Sequence, residues 1–379
     1  MNLRVSNIDL AAEDGRQTLS ADFGTGKRTK RVWFRTDDGP VSDLADPFLP
    51  AALPPAMRRR WDIEIDGPIS PRLMEGVQQI QQILAGWYPN FRPVGIDAPE
   101  PLDKGDAEPT GVAMFFSGGV DSFYTLRKHR KEITHLIFAH GLDLALSHTQ
   151  ERERAASSVR ELAAKLGLEL VEVETNMRQF GQPHVGWEQA YCGAALASIA
   201  LLLAPRFKRV YIAGGVSTEQ LAPLGTHPDL DFRWGNGAVE LIHDGLEATR
   251  FDKIRDIGRW APARDHLRVC FEKSDSELNC GRCNKCLWTM MVLKATGDLD
   301  QIRTFESPLD LRLLRLYPPV QSHQRDRFAA AVALLDERGV EPEYRRFLQD
   351  QLDANGRVPW RGRLRRFTDR GRNYLKHRF

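Results

Sequence analysis

Short apolar runs alternate with helical patterns through the middle of the chain. Residues 112–116 form one run and Thr134-His135-Leu136-Ile137-Phe138-Ala139-His140-Gly141 a second. Leu168-Glu169-Leu170-Val171-Glu172-Val173 and Arg209-Val210-Tyr211-Ile212-Ala213 follow. Each has the length and β-branched or aromatic content of a strand. Between them, residues 150–166 read as a helix rich in Glu, Arg and Ala that stops at Gly167. Residues 191–203 are apolar almost all round, which predicts a helix covered on most sides. Alternation of this kind predicts a doubly wound α/β fold, a parallel sheet with helices on both faces.

The flanks have different patterns. Residues 1–100 read as a separate α+β unit, with strands at Arg31-Val32-Trp33-Phe34-Arg35 and Trp61-Asp62-Ile63-Glu64-Ile65. Ser70-Pro71 opens a helix on which Leu73, Val77, Ile80 and Leu84 share a face. Gly24-Thr25-Gly26-Lys27 is similar to the end of a Walker loop, but Ala21 and Arg28 stand where Gly and Ser or Thr are required, so it reads as a turn. Residues 101–111 are polar with Pro and Gly and read as a linker. Residues 112–300 are then the main domain, and 301–379 a helical, basic C-terminal region. The stretch 219–245 carries three glycines before Gly245, two prolines and many polar groups, which suits a substrate lid.

Composition narrows the class. The chain has 379 residues, 42% of them hydrophobic, and a net charge of +2. That balance is globular and excludes a uniformly basic nucleic-acid coat. No secretory signal is visible, and the apolar run 194–204 is too short to span a bilayer, so a cytoplasmic protein without a membrane partner is expected. The charge is uneven. From Arg357 to the end there are nine basic residues and Asp369, a local charge of +8 against −6 for the rest, with Trp360, Phe367, Tyr374 and Phe379 interleaved. Such a segment, 357–379, can hold nucleic acid or an acidic protein, or dock on the acidic body of the same chain.

Two clusters carry chemistry. The first is Ser117-Gly118-Gly119-Val120-Asp121-Ser122, placed between a strand and a helix. Backbone N–H groups and the positive end of a helix dipole meet an anion there, and glycines permit close approach. Asp121 would repel a bare phosphate, so Mg2+ binding or loop ordering is its expected role. The second is Cys270, nine residues, then Cys280-Gly281-Arg282-Cys283-Asn284-Lys285-Cys286. Four thiolates at this spacing close a tetrahedron around a metal, zinc or iron–sulfur, in a knuckle over residues 266–290; His266 nearby reads as a surface histidine, with replacement of one cysteine as the alternative. Cys192 lies in the apolar helix and reads as a packed thiol.

The hexapeptide 117–122 resembles the SGGxDS signature of the PP-loop ATP pyrophosphatases, and with the cysteine cluster the chain resembles the 7-cyano-7-deazaguanine synthase family. The likeness covers residues 112–296. It implies a HUP-like (adenine nucleotide alpha hydrolase) domain that splits ATP into AMP and pyrophosphate. It further implies adenylation of a carboxylate or carbonyl oxygen, then attack by a nitrogen nucleophile. By the same resemblance Ser117, Gly118, Gly119, Val120, Asp121 and Ser122 bind ATP phosphates and Mg2+. His140 contacts the adenosine and Gly214 the phosphates. Lys253, with Arg250 on the same helical face, faces the pyrophosphate, so Asp121 and Lys253 are the expected catalytic residues. Cys270, Cys280, Cys283 and Cys286 hold Zn2+. The expected acceptor is a deazaguanine-like acid, and a homodimer is the expected assembly. The flanking regions have no counterpart in that family and fit a paralogue of the antiphage kind. Two other readings use the same residues: a PP-loop tRNA thiolation enzyme with an iron–sulfur cluster, and a non-catalytic nucleotide-binding scaffold.

Overall fold

In the computed structural model, which describes residues 1–26, 28–37, 39–100, 109–270, 272 and 278–354, the central strands serve two cores at once. In β6 (Gly111–Phe115), Ala113 and Phe115 enter the core on one face while Val112 and Met114 enter the core on the other. β7 (His135–His140) divides Ile137 from Leu136 and Phe138 in the same way. Both faces are covered, so these strands read as continuous apolar runs rather than alternating ones.

The remaining strands are β1 (Asn2–Glu13), β2 (Arg16–Thr25), β3 (Arg28–Asp37), β4 (Asp62–Ile65), β5 (Ile96–Asp97), β8 (Glu169–Thr175), β9 (Phe207–Ala213) and β10 (Glu240–Asp244). Among the described residues these ten strands form one sheet in the order β10-β9-β6-β7-β8-β3-β2-β1-β4-β5. From β10 to β8 every pairing is parallel. Counted among themselves, these five strands follow the order 3-2-1-4-5 of a doubly wound sheet. The fold is therefore α/β with a large, mostly parallel sheet, as expected.

The first hundred residues do not stand apart. β3 pairs antiparallel with β8, Phe34 opposite Thr175 and Thr36 opposite Val173. Side chains extend the ladder where β8 ends: Thr175 Oγ1 donates to Trp33 O (2.7 Å), and Asn176 accepts from Trp33 N (3.0 Å) and donates to Arg31 O (2.8 Å). Phe34, Phe48 and Leu53 share one core with Tyr191, Ala195 and Leu201. The expected turn at Gly24–Gly26 is the β2–β3 hairpin, with Gly26 at φ +63°. The linker 101–111 and the basic segment 357–379 lie largely or wholly outside the described residues.

Helices Phe48–Arg59, Pro71–Trp87 and Cys192–Leu202 cover one face of the sheet. Helices Val120–Lys128, Thr149–Leu166, Arg250–Gly258, Asn284–Thr296 and Ser322–Arg338 cover the other. The apolar helix 192–202 is buried, as its sequence demands. The stretch 219–245 differs from the open segment its polar sequence suggests. It contains the helical turn Pro228–Asp231 and ends in β10, and Asp231, Trp234 and Asp244 are buried, so it is packed structure rather than a lid. The C-terminal helices join the second core, where Tyr344 Oη donates to Met291 O at 2.8 Å. Among the described residues no helix is long and apolar enough to cross a membrane.

Candidate active site and metal centre

β6 lies between β7 and β9, so the chain leaves it in one direction and later returns on the other side. Ligands of open α/β sheets sit at such a switch point, beyond the carboxyl ends of the strands. Residues 116–119 occupy that position. Phe116 anchors the turn, edge-on to Phe123 at 5.0 Å between ring centroids. Gly118 adopts φ +77°, a conformation that side chains with a Cβ resist. Its carbonyl accepts from Arg268 N (2.8 Å), and Ser117 O accepts from Arg268 Nε (3.2 Å). Arg268 thus holds the loop's carbonyls, while the first N–H groups of helix Val120–Lys128 have no intrahelical acceptor and remain for a ligand. Ser117 Oγ accepts from Gly119 N at 3.3 Å, and Ser122 Oγ donates to Gly119 O at 2.9 Å. Ser122 is buried and its proton is engaged within the loop, a more structural position than the sequence implied.

Asp121 stands in the first turn of that helix and faces two cations. Arg250 Nη2 lies 2.8 Å from its Oδ2 and Lys253 Nζ 3.7 Å from its Oδ1. Lys253 donates to Gly214 O at 2.7 Å, which brings Gly214 to the site as the backbone partner of the lysine. The Lys253 side chain is only 1% exposed. Burial pushes its pKa below the ordinary lysine value, against the pull of Asp121 and with some help from Arg250. Gly245, at φ +90°, leaves room here: a Cβ would lie 3.1 Å from the ammonium.

Of these residues Asp121 and Arg250 border a cleft of about 740 Å³, lined also by Arg268, Trp288, His323 and Arg327 and by the carboxylates of Asp143, Glu151, Glu188 and Glu272. An apolar alcove of about 260 Å³ opens beside it, formed by Phe115, Phe116, Leu142, Trp187, Leu196 and Ala213 among others. Trp187 belongs to a π-helical turn, Trp187–Tyr191, and carries the Arg178 guanidinium 4.1 Å from its ring centroid. The arrangement pairs a cleft of mixed charge, with Arg250, Arg268 and Arg327 on its walls, with a mainly apolar recess. It is chemically suited to a phosphorylated, planar ligand. Cys192 lines the recess, its thiol pushed up to about 12 by burial, so it is not a nucleophile.

His140 is not brought to this site. It lines neither space, and its ring nitrogens meet Glu172 Oε2 at 2.8 Å and Arg152 Nε at 3.2 Å. His140 does end β7, but its side chain turns into an ion network along β7 and β8. Arg268 and Arg327 were missed. Arg268 sits two residues before a cysteine and Arg327 in an ordinary amphipathic helix, and neither carries a local pattern that marks a site.

The four cysteines converge. The sulfurs of Cys270, Cys280, Cys283 and Cys286 all lie within 4.8 Å of one another, and all four residues are buried. The pairs Cys270–Cys283 and Cys280–Cys286 are each 4.0 Å apart. Zinc–thiolate bonds of about 2.3 Å in a tetrahedron require sulfurs roughly 3.8 Å apart, so the set is compatible with zinc. Backbone N–H groups stabilise thiolate charge: Cys283 N donates to Cys280 Sγ (3.3 Å), Cys286 N to Cys283 Sγ (3.5 Å) and Glu272 N to Cys270 Sγ (3.3 Å). His266 is no ligand, since its Nδ1 meets Ser158 Oγ at 3.0 Å and its Nε2 meets Lys165 Nζ at 3.3 Å.

The two centres are mechanically joined. Asn279, 1% exposed, accepts from Val269 N (2.8 Å) and Cys270 N (3.1 Å) and donates to Leu267 O (2.7 Å). It fixes the segment from which Arg268 reaches the glycine loop. Compared with protein-family models, curated proteins and solved structures, the chain matches none of them.

Proposed function

We propose that the protein is an ATP-dependent adenylating enzyme of the PP-loop kind with a HUP-like catalytic domain and a structural zinc site. The observation that carries this reading is the position of the 117–122 loop. It lies at the switch point of the sheet, with Asp121 facing Arg250 at 2.8 Å and Lys253 at 3.7 Å. The loop N–H groups and the start of helix Val120–Lys128 receive the phosphates, Asp121 takes Mg2+, and the base occupies the apolar alcove.

In the first step an acceptor carboxylate oxygen attacks the α-phosphorus. The bond to the bridging oxygen breaks and pyrophosphate departs with the electron pair. Lys253 and Arg250 face the charge that builds on it. In the second step a nitrogen nucleophile attacks the acyl carbon, the bond to AMP breaks, and the nitrogen loses a proton. No side-chain nucleophile is needed, and positioning supplies much of the rate. The resemblance in residues 117–122 and 270–286 favours a deazaguanine-like acid as acceptor. The sulfur spacing favours one ion over a multi-iron cluster, and so favours this reading over tRNA thiolation.

ATP–pyrophosphate exchange measured against a panel of acids that includes carboxy-deazaguanine tests the proposal. Exchange with one acid identifies reaction and acceptor together. ATP binding with no exchange for any acid would leave a nucleotide-binding scaffold, and visible absorbance after anaerobic purification would favour the iron–sulfur enzyme.

A further inference from the structure

The helix Ser322–Arg338 lies in the part of the chain that the PP-loop resemblance leaves unexplained, yet it forms a wall of the cleft through His323, Gln324 and Arg327. His323 and Arg327 are one turn apart and share a face. Arg327 is the unusual member. Its Nε is buried and unpartnered, and no acceptor among the described residues takes its guanidinium. It stands 5.7 Å from the ring centroid of Trp288, which is itself fixed by an Nε1–H bond to Tyr317 O at 3.1 Å. An arginine fork, held in place and left without an acceptor, costs stability unless something anionic arrives.

The surrounding charges point the same way. Asp143 stands near Arg178 and Arg268 and attracts both. Arg250, Lys253 and Arg327 are all attracted by Asp121, and Lys253 by Glu247 and Asp244 as well. Arg250 and Arg327 repel one another, and Arg250 Nε is also buried without a partner. Arg250 and Arg327 therefore stand together on the cleft wall, each with a buried guanidinium Nε that no acceptor takes, and this pair suits a polyanion.

We propose that Arg327, delivered by the C-terminal helix, is a direct ligand of condensed phosphate, the triphosphate of the substrate and the pyrophosphate it releases, acting with Arg250. This deepens the adenylation reading and rests on it for the identity of the anion. It makes the C-terminal helices part of the active site rather than an appendage.

Titration of the full-length protein with inorganic pyrophosphate, with and without Mg2+, tests the site without any turnover. Arg327→Gln is expected to weaken pyrophosphate binding about tenfold or more, and Arg327→Lys to fall between it and wild type. Equal affinity in a folded Arg327→Gln protein would overturn the proposal. Should that variant fail to fold, the wild-type protein decides. Pyrophosphate is expected to protect Arg327 from an arginine-selective dicarbonyl reagent, read by peptide mass, and absence of protection would overturn it. The two readings separate cleanly. Arg327-dependent pyrophosphate binding without exchange on any acid removes adenylation and keeps the anion site. Exchange with undiminished pyrophosphate binding in Arg327→Gln does the reverse.

Discussion

Arg250 Nη2 and Asp121 Oδ2, 2.8 Å apart, tie the first turn of one helix to the first turn of another. Two helix N-termini therefore converge beside the same cleft with their positive dipole ends, although that of Arg250–Gly258 is capped by Thr249 Oγ1, which accepts from Asp252 N at 3.2 Å. Asp121 stands between them, and its Oδ1 is buried without a hydrogen bond. Asp121→Asn is expected to lower ATP–pyrophosphate exchange by about a hundredfold or more. The partly exposed ion pair contributes no more than about 1 kcal/mol to stability, so melting should change little. Full exchange in this variant would remove Asp121 from the mechanism.

Lys253 gives a pH signature. Its folded pKa lies below the ordinary lysine value because the side chain is buried. The unfolded chain therefore binds more protons between the folded and the ordinary value, and through that window stability rises with pH. Activity should move oppositely. If the ammonium neutralises the leaving group, exchange falls as pH rises through the folded pKa. Lys253→Met is expected to erase that alkaline limb and to lose about a hundredfold in exchange rate. A pH–rate profile of each protein checks both statements, and an unchanged limb in the variant would assign it elsewhere.

Removal of the metal should act at a distance. Cys283→Ser, or strong chelation, is expected to release helix Asn284–Thr296, whose start is capped by the Cys283 sulfur. Metal analysis should give about one zinc per chain in the wild type. Melting temperature and pyrophosphate affinity are expected to fall together, since Asn279 and Trp288 lose their frame. Loss of zinc with both quantities intact would show that the centres are independent.

Gly118 tests the loop. An alanine at φ +77° costs about 1 kcal/mol, and its Cβ would stand 3.4 Å from that of Arg268. Gly118→Ala should leave the fold intact and raise the KM for ATP, measured by initial rates of exchange.

Glu172 tests the network that claimed His140. Burial would raise its pKa, but hydrogen bonds from His140 and Arg160 win and hold it at about 2. The depressed value contributes stability above the ordinary carboxylate range, lost as pH falls from about 4.5 towards 2. A shift of that size sets an upper bound on the order of 3 kcal/mol. Glu172→Gln is expected to destabilise at neutral pH and to flatten the acid limb of unfolding, with little effect on exchange.

The parallel strands, the glycine loop and the cysteine knuckle were legible because each rests on local pattern: apolar runs, a strand-to-helix turn, thiol spacing. The start of the helix that carries Lys253 is marked in the sequence, and the structure puts that side chain 3.7 Å from Asp121. What was not legible depends on chain segments far apart in sequence. Nothing in residues 31–37 says that β3 will pair with β8 rather than close a sheet of its own. Nor does the sequence around Arg327 tell it from other helix arginines, because its isolation is made by Trp288 and Arg250. β10 was hidden in a polar stretch because an edge strand needs few apolar residues. His140 was misplaced because a strand end fixes position and not the direction of a side chain.

The antiparallel joint between Phe34 and Thr175 has a practical result for anyone who trims this protein. Deleting residues 1–37 would strip β8 of its neighbour and leave its hydrogen-bonding border open beside the apolar surface that Phe34 now covers. Such a border recruits other chains. The shortened protein would cluster with itself, whatever became of its chemistry.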